Sequence, residues 1–175
     1  MRSSLNWWIT QRNFSRMPLK PNSPDWIREF REFTALLNKH RVKYVLIGGY
    51  AVGWHGHPRV TKDVDFFVER SPENAAKLLS VLEEFGLSCL GLKQEDFLEE
   101  ASGVFFGLPP HRIDLLNFAA GITFDEAWTT KVEAQQDGEP LLIISRDLLI
   151  KNKRATGRLQ DLADASALER RPPKN

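Results

Sequence analysis

Apolar residues recur along the chain with two different periods, and the switches between them mark out helices and strands. Trp26, Phe30, Phe33 and Leu37 fall at helical spacing, so the pattern predicts a first helix running to about His40. Ser23 is placed as its N-cap and Pro24 at its first helical position. Val42 to Ile47 is an apolar run rich in β-branched residues that ends in Gly48-Gly49, as expected of a strand entering a tight turn. A short helix over Tyr50 to Trp54 and a second strand over Asp63 to Val68 follow. Ser71-Pro72-Glu73 opens a helix whose apolar positions Ala75, Leu78, Leu79 and Leu82 lead to a stop at Gly86.

Residues 87 to 100 carry no clear period. Beyond them, Val104 to Gly107 and Arg112 to Asn117 read as an antiparallel pair joined through Leu108-Pro109-Pro110. Phe124 to Trp128 reads as a helical turn. Asp137-Gly138, between Lys131 to Gln136 and Pro140 to Ile144, is a hairpin signal. Ser145 is then expected to cap a basic helix, which Gly157 separates from a last helix ending near Arg170.

At 175 residues, with 42% hydrophobic and 27% charged, the chain has the size of one domain. A domain of that length buries roughly 70% of its unfolded surface. Residues 1–16 contain Trp7 and Trp8 but no period and no apolar signal-peptide core. They read as a disordered arm, or as a stretch ahead of an authentic start at Met17, which leaves 17–175 as a single domain. The longest apolar stretch, Val45 to Trp54, is broken by three glycines. It falls far short of the roughly 20 residues that a membrane-spanning helix needs. Cys89 is the only cysteine, which excludes an internal disulfide and a Cys-based zinc site and points to a reducing, cytoplasmic compartment.

The net charge of +1 excludes the strong basic excess of a duplex-binding protein, but it is unevenly spread. Residues 1–24 carry +4, residues 145–175 carry +4, and the middle carries −7. Basic termini around an acidic centre suit a protein that holds cations centrally and brings phosphates to its rim, although ordinary solvated faces would look the same.

The acidic centre contains the informative chemistry. Fourteen residues after Gly49, the strand Asp63-Val64-Asp65-Phe66 places two carboxylates on one face, because side chains alternate along a strand. Two such charges about 4 Å apart repel by roughly 4 kcal/mol at an effective dielectric near 20. A divalent cation removes that cost, and carboxylate oxygens without His or Cys partners favour Mg²⁺ or Mn²⁺. The alternative is an exposed strand face with two unrelated acids. Asp114 stands among Ile113, Leu115 and Leu116, where a charge is costly unless it is paired or bound to metal. Beside Asp63 and Asp65 it would complete a triad able to hold two metal ions; paired with Arg112 it would be structural.

Gly48-Gly49 permits close backbone approach, and the following helix would direct N–H groups toward anionic oxygens. Arg59 and Thr61, just ahead of the acidic strand, are placed either to contact phosphate or to fix the loop. Lys151, Lys153 or Arg158 would neutralise triphosphate charge, with Asp161 orienting one of them, or the C-terminal helix is simply solvent-facing. His55-Gly56-His57 reads as a loop rather than a metal pair, and Cys89 as an inert thiol.

In combination, Gly48-Gly49, Arg59, Thr61, Asp63-x-Asp65 and Asp114 resemble the nucleotidyltransferase superfamily of the DNA polymerase beta type. The closer similarity is to its small bacterial abortive-infection (AbiEii-like) toxin group, over about residues 25–170. The resemblance implies an α/β fold: a mixed central sheet flanked by helices, with further helices at the C-terminus. It also implies a nucleoside triphosphate substrate, two Mg²⁺ ions held by Asp63, Asp65 and Asp114, and help from Asp114 in deprotonating an accepting hydroxyl. The acceptor would be RNA, which the basic termini favour, a protein or a small molecule. The partner would be an antitoxin protein. Two departures from the pattern stand out, Gly49 where many relatives have Ser and Gln160 where they have Lys. Both weaken the expected phosphate contacts and favour the alternative of a non-catalytic binding module.

Overall fold

The structure, a computed structural model, describes residues 11–14, 26–107, 112–136 and 138–170, with the backbone alone over 11–14 and 26–27. Its strands are β1 (Gln11–Phe14), β2 (Tyr44–Ile47), β3 (Asp63–Val68), β4 (Gly103–Phe106), β5 (Arg112–Leu116), β6 (Val132–Gln136) and β7 (Glu139–Ile143). Its α-helices are α1 (Trp26–Lys39), α2 (Gly48–Trp54), α3 (Pro72–Glu84), α4 (Glu95–Leu98), α5 (Phe124–Thr130), α6 (Arg146–Thr156) and α7 (Leu159–Glu169). The strands form one sheet in the order β1-β4-β5-β3-β2-β7-β6. Parallel and antiparallel pairs alternate across it, so the sheet is mixed and helices flank it. Among the described residues no helix is long and apolar enough to cross a membrane.

The alternation of side chains divides the sheet into an apolar face and a charged one. Tyr44, Leu46, Phe66, Ile113 and Leu115 share one face by register and are buried. Helix α1 covers it with Phe30 and Phe33, whose rings lie 6.0 and 5.7 Å from that of Phe66. Phe33 also meets Phe85 and Phe106, so one helix residue ties α1 to the end of α3 and to β4. Each such ring withdrawn from water contributes about 1.5–3 kcal/mol. Asn74, 2% exposed, fastens α3 to the sheet: its Oδ1 accepts from the Lys43 N–H at 2.8 Å and its Nδ2 donates to the carbonyls of Lys43 and Glu69 at 3.0 Å. Ser71 caps α3 as its sequence position predicts, accepting from the Asn74 N–H at 3.2 Å.

Several local expectations need correction. Gln11–Phe14, inside the segment expected to be irregular, pairs in parallel with β4. Helix α2 begins at Gly48 rather than Tyr50, directly after β2. Residues 87–100 contain a single 3₁₀ turn, Ser88–Leu90, and the short α4. Ser145 occupies the N-cap position of α6 but makes no capping bond, since its hydroxyl faces that of Thr130 at 3.2 Å. Thr123, not singled out above, caps α5 in a reciprocal pairing with Glu126. The expected Ser23 and Pro24 start signals, Leu108-Pro109-Pro110 and Asp137 lie outside the described residues.

Candidate active site

Strands β3 and β5 run parallel in a register that sets Asp63 opposite Arg112 and Asp65 opposite Asp114. Register partners in a parallel pair point the same way. Asp63, Asp65, Asp114 and Arg112 therefore share the sheet face opposite α1, and the three acids named from sequence converge.

Arg112 organises the cluster. Its Nε donates to Asp114 Oδ1 at 2.6 Å, and its Nη2 donates to Asp114 Oδ2 at 2.7 Å and to Asp63 Oδ2 at 2.9 Å. The guanidinium also lies over the Phe105 ring, 5.5 Å from its centroid. Sequence reasoning offered Arg112 only as a partner for Asp114; its bridge to Asp63 depends on β3 lying beside β5. Burial pushes the Asp114 carboxyl above its usual range, against the pull of the Arg112 bonds. The bonds to Asp114 in turn raise the Arg112 guanidinium.

Asp65 differs from its neighbours because no hydrogen bond to its side chain occurs among the described residues. Burial first, and then the charges of Asp114 and Asp63, push its carboxyl up to about 7, while Lys153 and Arg112 act in the opposite sense. Gly48 closes one side of this carboxyl. A Cβ at Gly48 would lie 1.8 Å from Asp65 Oδ2, and the φ of +69° is one that L side chains rarely adopt, so only glycine fits.

Gly49 faces the loop that leads into β3. A Cβ there would meet Thr61 Oγ1 at 2.6 Å and Arg59 Nη2 at 3.2 Å. Thr61 Oγ1 itself donates toward Asp63 Oδ1 at 3.2 Å. The Thr61 side chain thus occupies the space that a serine at position 49 would need. Beyond Gly49, a cavity of about 510 Å³ opens between α2, the loop 58–61 and β7.

The basic candidates divide among the alternatives that the sequence left open, with Arg59 fixing its loop and Asp161 holding Lys153. Arg59 is committed to Asp164: its Nε reaches Oδ1 and Oδ2 at 3.0 and 3.1 Å, and its Nη2 reaches Oδ2 at 3.0 Å. Lys153, 6% exposed, donates to Asp161 and lies 3.5 Å from Asp164 Oδ2, so it balances buried acids instead of facing a phosphate. Burial would raise Asp161, but the bonds from Lys153 and Thr156 outweigh it and hold the carboxyl below its usual range. Lys151 is exposed and turned to Glu126 on α5 at 2.8 Å, away from the acids. Arg158 is exposed at the start of α7, where its carbonyl accepts from the Leu162 N–H at 2.9 Å.

Asp164 was given no role by the sequence, although it is fully buried and accepts from Arg59 and from Gln160 Nε2 at 3.0 Å. Gln160, noted above as a departure, thus serves this carboxylate. The available signal was the spacing Gln160, Asp161, Asp164, which puts residues 160 and 164 on one helical face. His55 is structural, with its Nε2 2.8 Å from the Ile144 carbonyl oxygen.

Three hard oxygen donors on one face have the chemistry that Mg²⁺ or Mn²⁺ prefers. Their positions as they stand do not form a cage: among the described residues no group of three or more His, Cys, Asp or Glu is placed to hold a metal ion. Arg112 lies between Asp63 and Asp114 and pairs with both. No protein-family model matches the chain, and no curated protein matches it.

Proposed function

We propose that this chain is a nucleotidyltransferase with the fold of the polymerase beta type, moving a nucleoside monophosphate from a nucleoside triphosphate to a hydroxyl acceptor. The observation that carries this reading is the register of β3 and β5, which sets Asp65 beside Asp114 with Asp63 on the same face, at the Gly48 turn. In the reaction the acceptor oxygen bonds to the α-phosphorus, the α–β bridging bond breaks, and pyrophosphate leaves with that electron pair. Asp114 is suited to take the hydroxyl proton, because burial raises its affinity for protons. Asp63, Asp65 and Asp114 would hold Mg²⁺ or Mn²⁺, which supplies charge neutralisation for the phosphates. Thr61 and Gly49 line the approach, and Arg59 holds the loop that carries Thr61. On this reading the enzyme would act in a reducing, cytoplasmic compartment, to which the lone Cys89 points, as the toxin of a toxin–antitoxin pair.

The test is label transfer from α-labelled triphosphates to total RNA and total protein in Mg²⁺. Asp63→Asn and Asp65→Asn are expected to abolish transfer while circular dichroism stays unchanged. Undiminished transfer by either variant overturns the assignment.

A second reading, a nucleotide- or partner-binding module without turnover, is favoured by one specific arrangement. Arg112 already neutralises Asp63 and Asp114, and Lys153 already neutralises Asp161. Calorimetry separates the two readings. Triphosphate binding that requires Mg²⁺ and releases pyrophosphate supports the enzyme, and binding without release supports the module.

A further inference from the structure

We propose that the loop 58–62 and the corner between α6 and α7 form one docking surface for an acidic protein segment with apolar side chains, the segment that presents the accepting hydroxyl. The assignment rests on the nucleotidyltransferase reading and names its acceptor as a protein. Position is the first argument. Arg59 Nε and Gln160 Nε2 both donate to Asp164 Oδ1 at 3.0 Å, which joins the loop to α7. One residue to either side of that junction stand Val60 and Leu159, 87% and 88% exposed. They are the most exposed large apolar residues among those described, and the exposed Leu162 follows one turn further along α7. A lone exposed aliphatic residue is ordinary, but several collected around one junction mark a contact surface. Thr61, next to Val60, bonds Asp63 Oδ1 at 3.2 Å, so the surface borders the acids.

Charge is the second argument. The exposed residues of 58–62 and 154–163 include no acid. Arg59 and Lys153 are balanced by the buried Asp164 and Asp161, and Arg154 by Glu169. Lys62 and Arg158 are exposed and make no salt bridge among the described residues, although the charge of Arg158 is felt at Asp161. Aliphatic groups beside two such cations complement carboxylates that flank apolar side chains. RNA would find no aromatic ring to stack on in these two segments. It would also miss the run of free cations that phosphates need, because Lys151, Lys153 and Arg154 already have acids. In the reaction stated above, the oxygen that bonds to the α-phosphorus would be that of a serine, threonine or tyrosine. Its proton passes to Asp114 as pyrophosphate leaves.

The experiment measures fluorescence anisotropy of labelled heptapeptides with the full chain, without metal or nucleotide. The peptides are Glu-Glu-Leu-Ser-Leu-Glu-Glu, a version with lysine for glutamate and a version with glycine for leucine. Oligouridine and phosphatidylserine vesicles are the other probes. One double variant is Val60→Ser with Leu159→Ser, and the other is Lys62→Glu with Arg158→Glu. All four side chains are exposed, and melting curves check that each variant folds.

The glutamate–leucine peptide should bind roughly tenfold or more tighter than either counterpart. Val60→Ser with Leu159→Ser should lose that advantage, and Lys62→Glu with Arg158→Glu should turn the preference toward the lysine peptide. Excess glutamate–leucine peptide should suppress label transfer from α-labelled triphosphates to total protein. The proposal is overturned if wild type shows no preference among the peptides at millimolar concentration, or if the variants bind as wild type does. Oligouridine or vesicles that bind and are lost on the same substitutions also overturn it, as does transfer to RNA alone or transfer to protein that the peptide leaves unhindered. A peptide that binds as expected, with no transfer to any acceptor, would keep the surface and sink the transferase reading instead.

Discussion

Arg59 donates to both carboxylate oxygens of Asp164, a fully buried residue 105 positions further along the chain. The loop that carries Thr61 toward the acid cluster is thereby fastened to α7. Lys153 approaches the same carboxylate and the neutral Gln160 amide donates to it, so Asp164 is the common counter-charge of Arg59 and Lys153.

Asp164→Asn should therefore be severe. Removing one partner of a buried ion pair leaves uncompensated charge and typically costs about 3–5 kcal/mol. Urea denaturation is expected to show a loss of that size. Cleavage by a protease in the loop 58–61 should also become faster than in wild type. A variant within about 0.5 kcal/mol of wild type would show that this pair does not hold the loop.

Arg112 and a divalent cation compete for the same oxygens, since the guanidinium takes both of Asp114 and one of Asp63. Arg112→Ala should melt earlier than wild type in chelator, because three acids then face one another without it. Added Mn²⁺ should raise the melting temperature of the variant by more than that of wild type, and electron paramagnetic resonance should show tighter Mn²⁺ binding. Equal Mn²⁺ affinity in both proteins would separate Arg112 from the cation site.

The two glycines should fail for different reasons. Gly48→Ala combines a disfavoured φ with a collision at Asp65 Oδ2, so no second-site change at a distance should restore it; the backbone strain alone is worth about 1–2 kcal/mol. Gly49→Ser instead meets a removable obstacle, the Thr61 side chain. Thr61→Gly, which removes both Oγ1 and the Cβ that would lie 2.9 Å away, should recover stability in the Gly49→Ser background while costing stability in wild type. Additive effects in that double-mutant cycle would show that the two positions do not share space.

On α5, the bond from Lys151 and then the capping bonds of Thr123 lower the Glu126 carboxyl from 4.5 to about 2. A depressed carboxylate binds fewer protons folded than unfolded, so its contribution is complete above about pH 4.5 and is lost as the pH falls toward 2. Glu126→Gln should lower the melting temperature near neutral pH, and the gap from wild type should close on acidification. A gap that is constant from pH 7 to pH 3 would remove Lys151 and Thr123 as its cause.

What the amino-acid sequence determined by itself was local. The two-residue alternation of Asp63-Val64-Asp65-Phe66 put both acids on one face, apolar spacing placed the helices, and Gly48-Gly49 marked the turn, because period and backbone freedom are properties of neighbouring residues. Tertiary structure decided the rest. Asp114 joined the other acids only through the β3–β5 register, and Arg112 acquired Asp63 only across that pair. Lys151 left the acid cluster for Glu126, and Lys153 was consumed by Asp161 and Asp164. A basic residue near an acidic site reads the same in sequence whether it is free or neutralised. Only packing shows which acid, within a few ångströms, has already taken its charge.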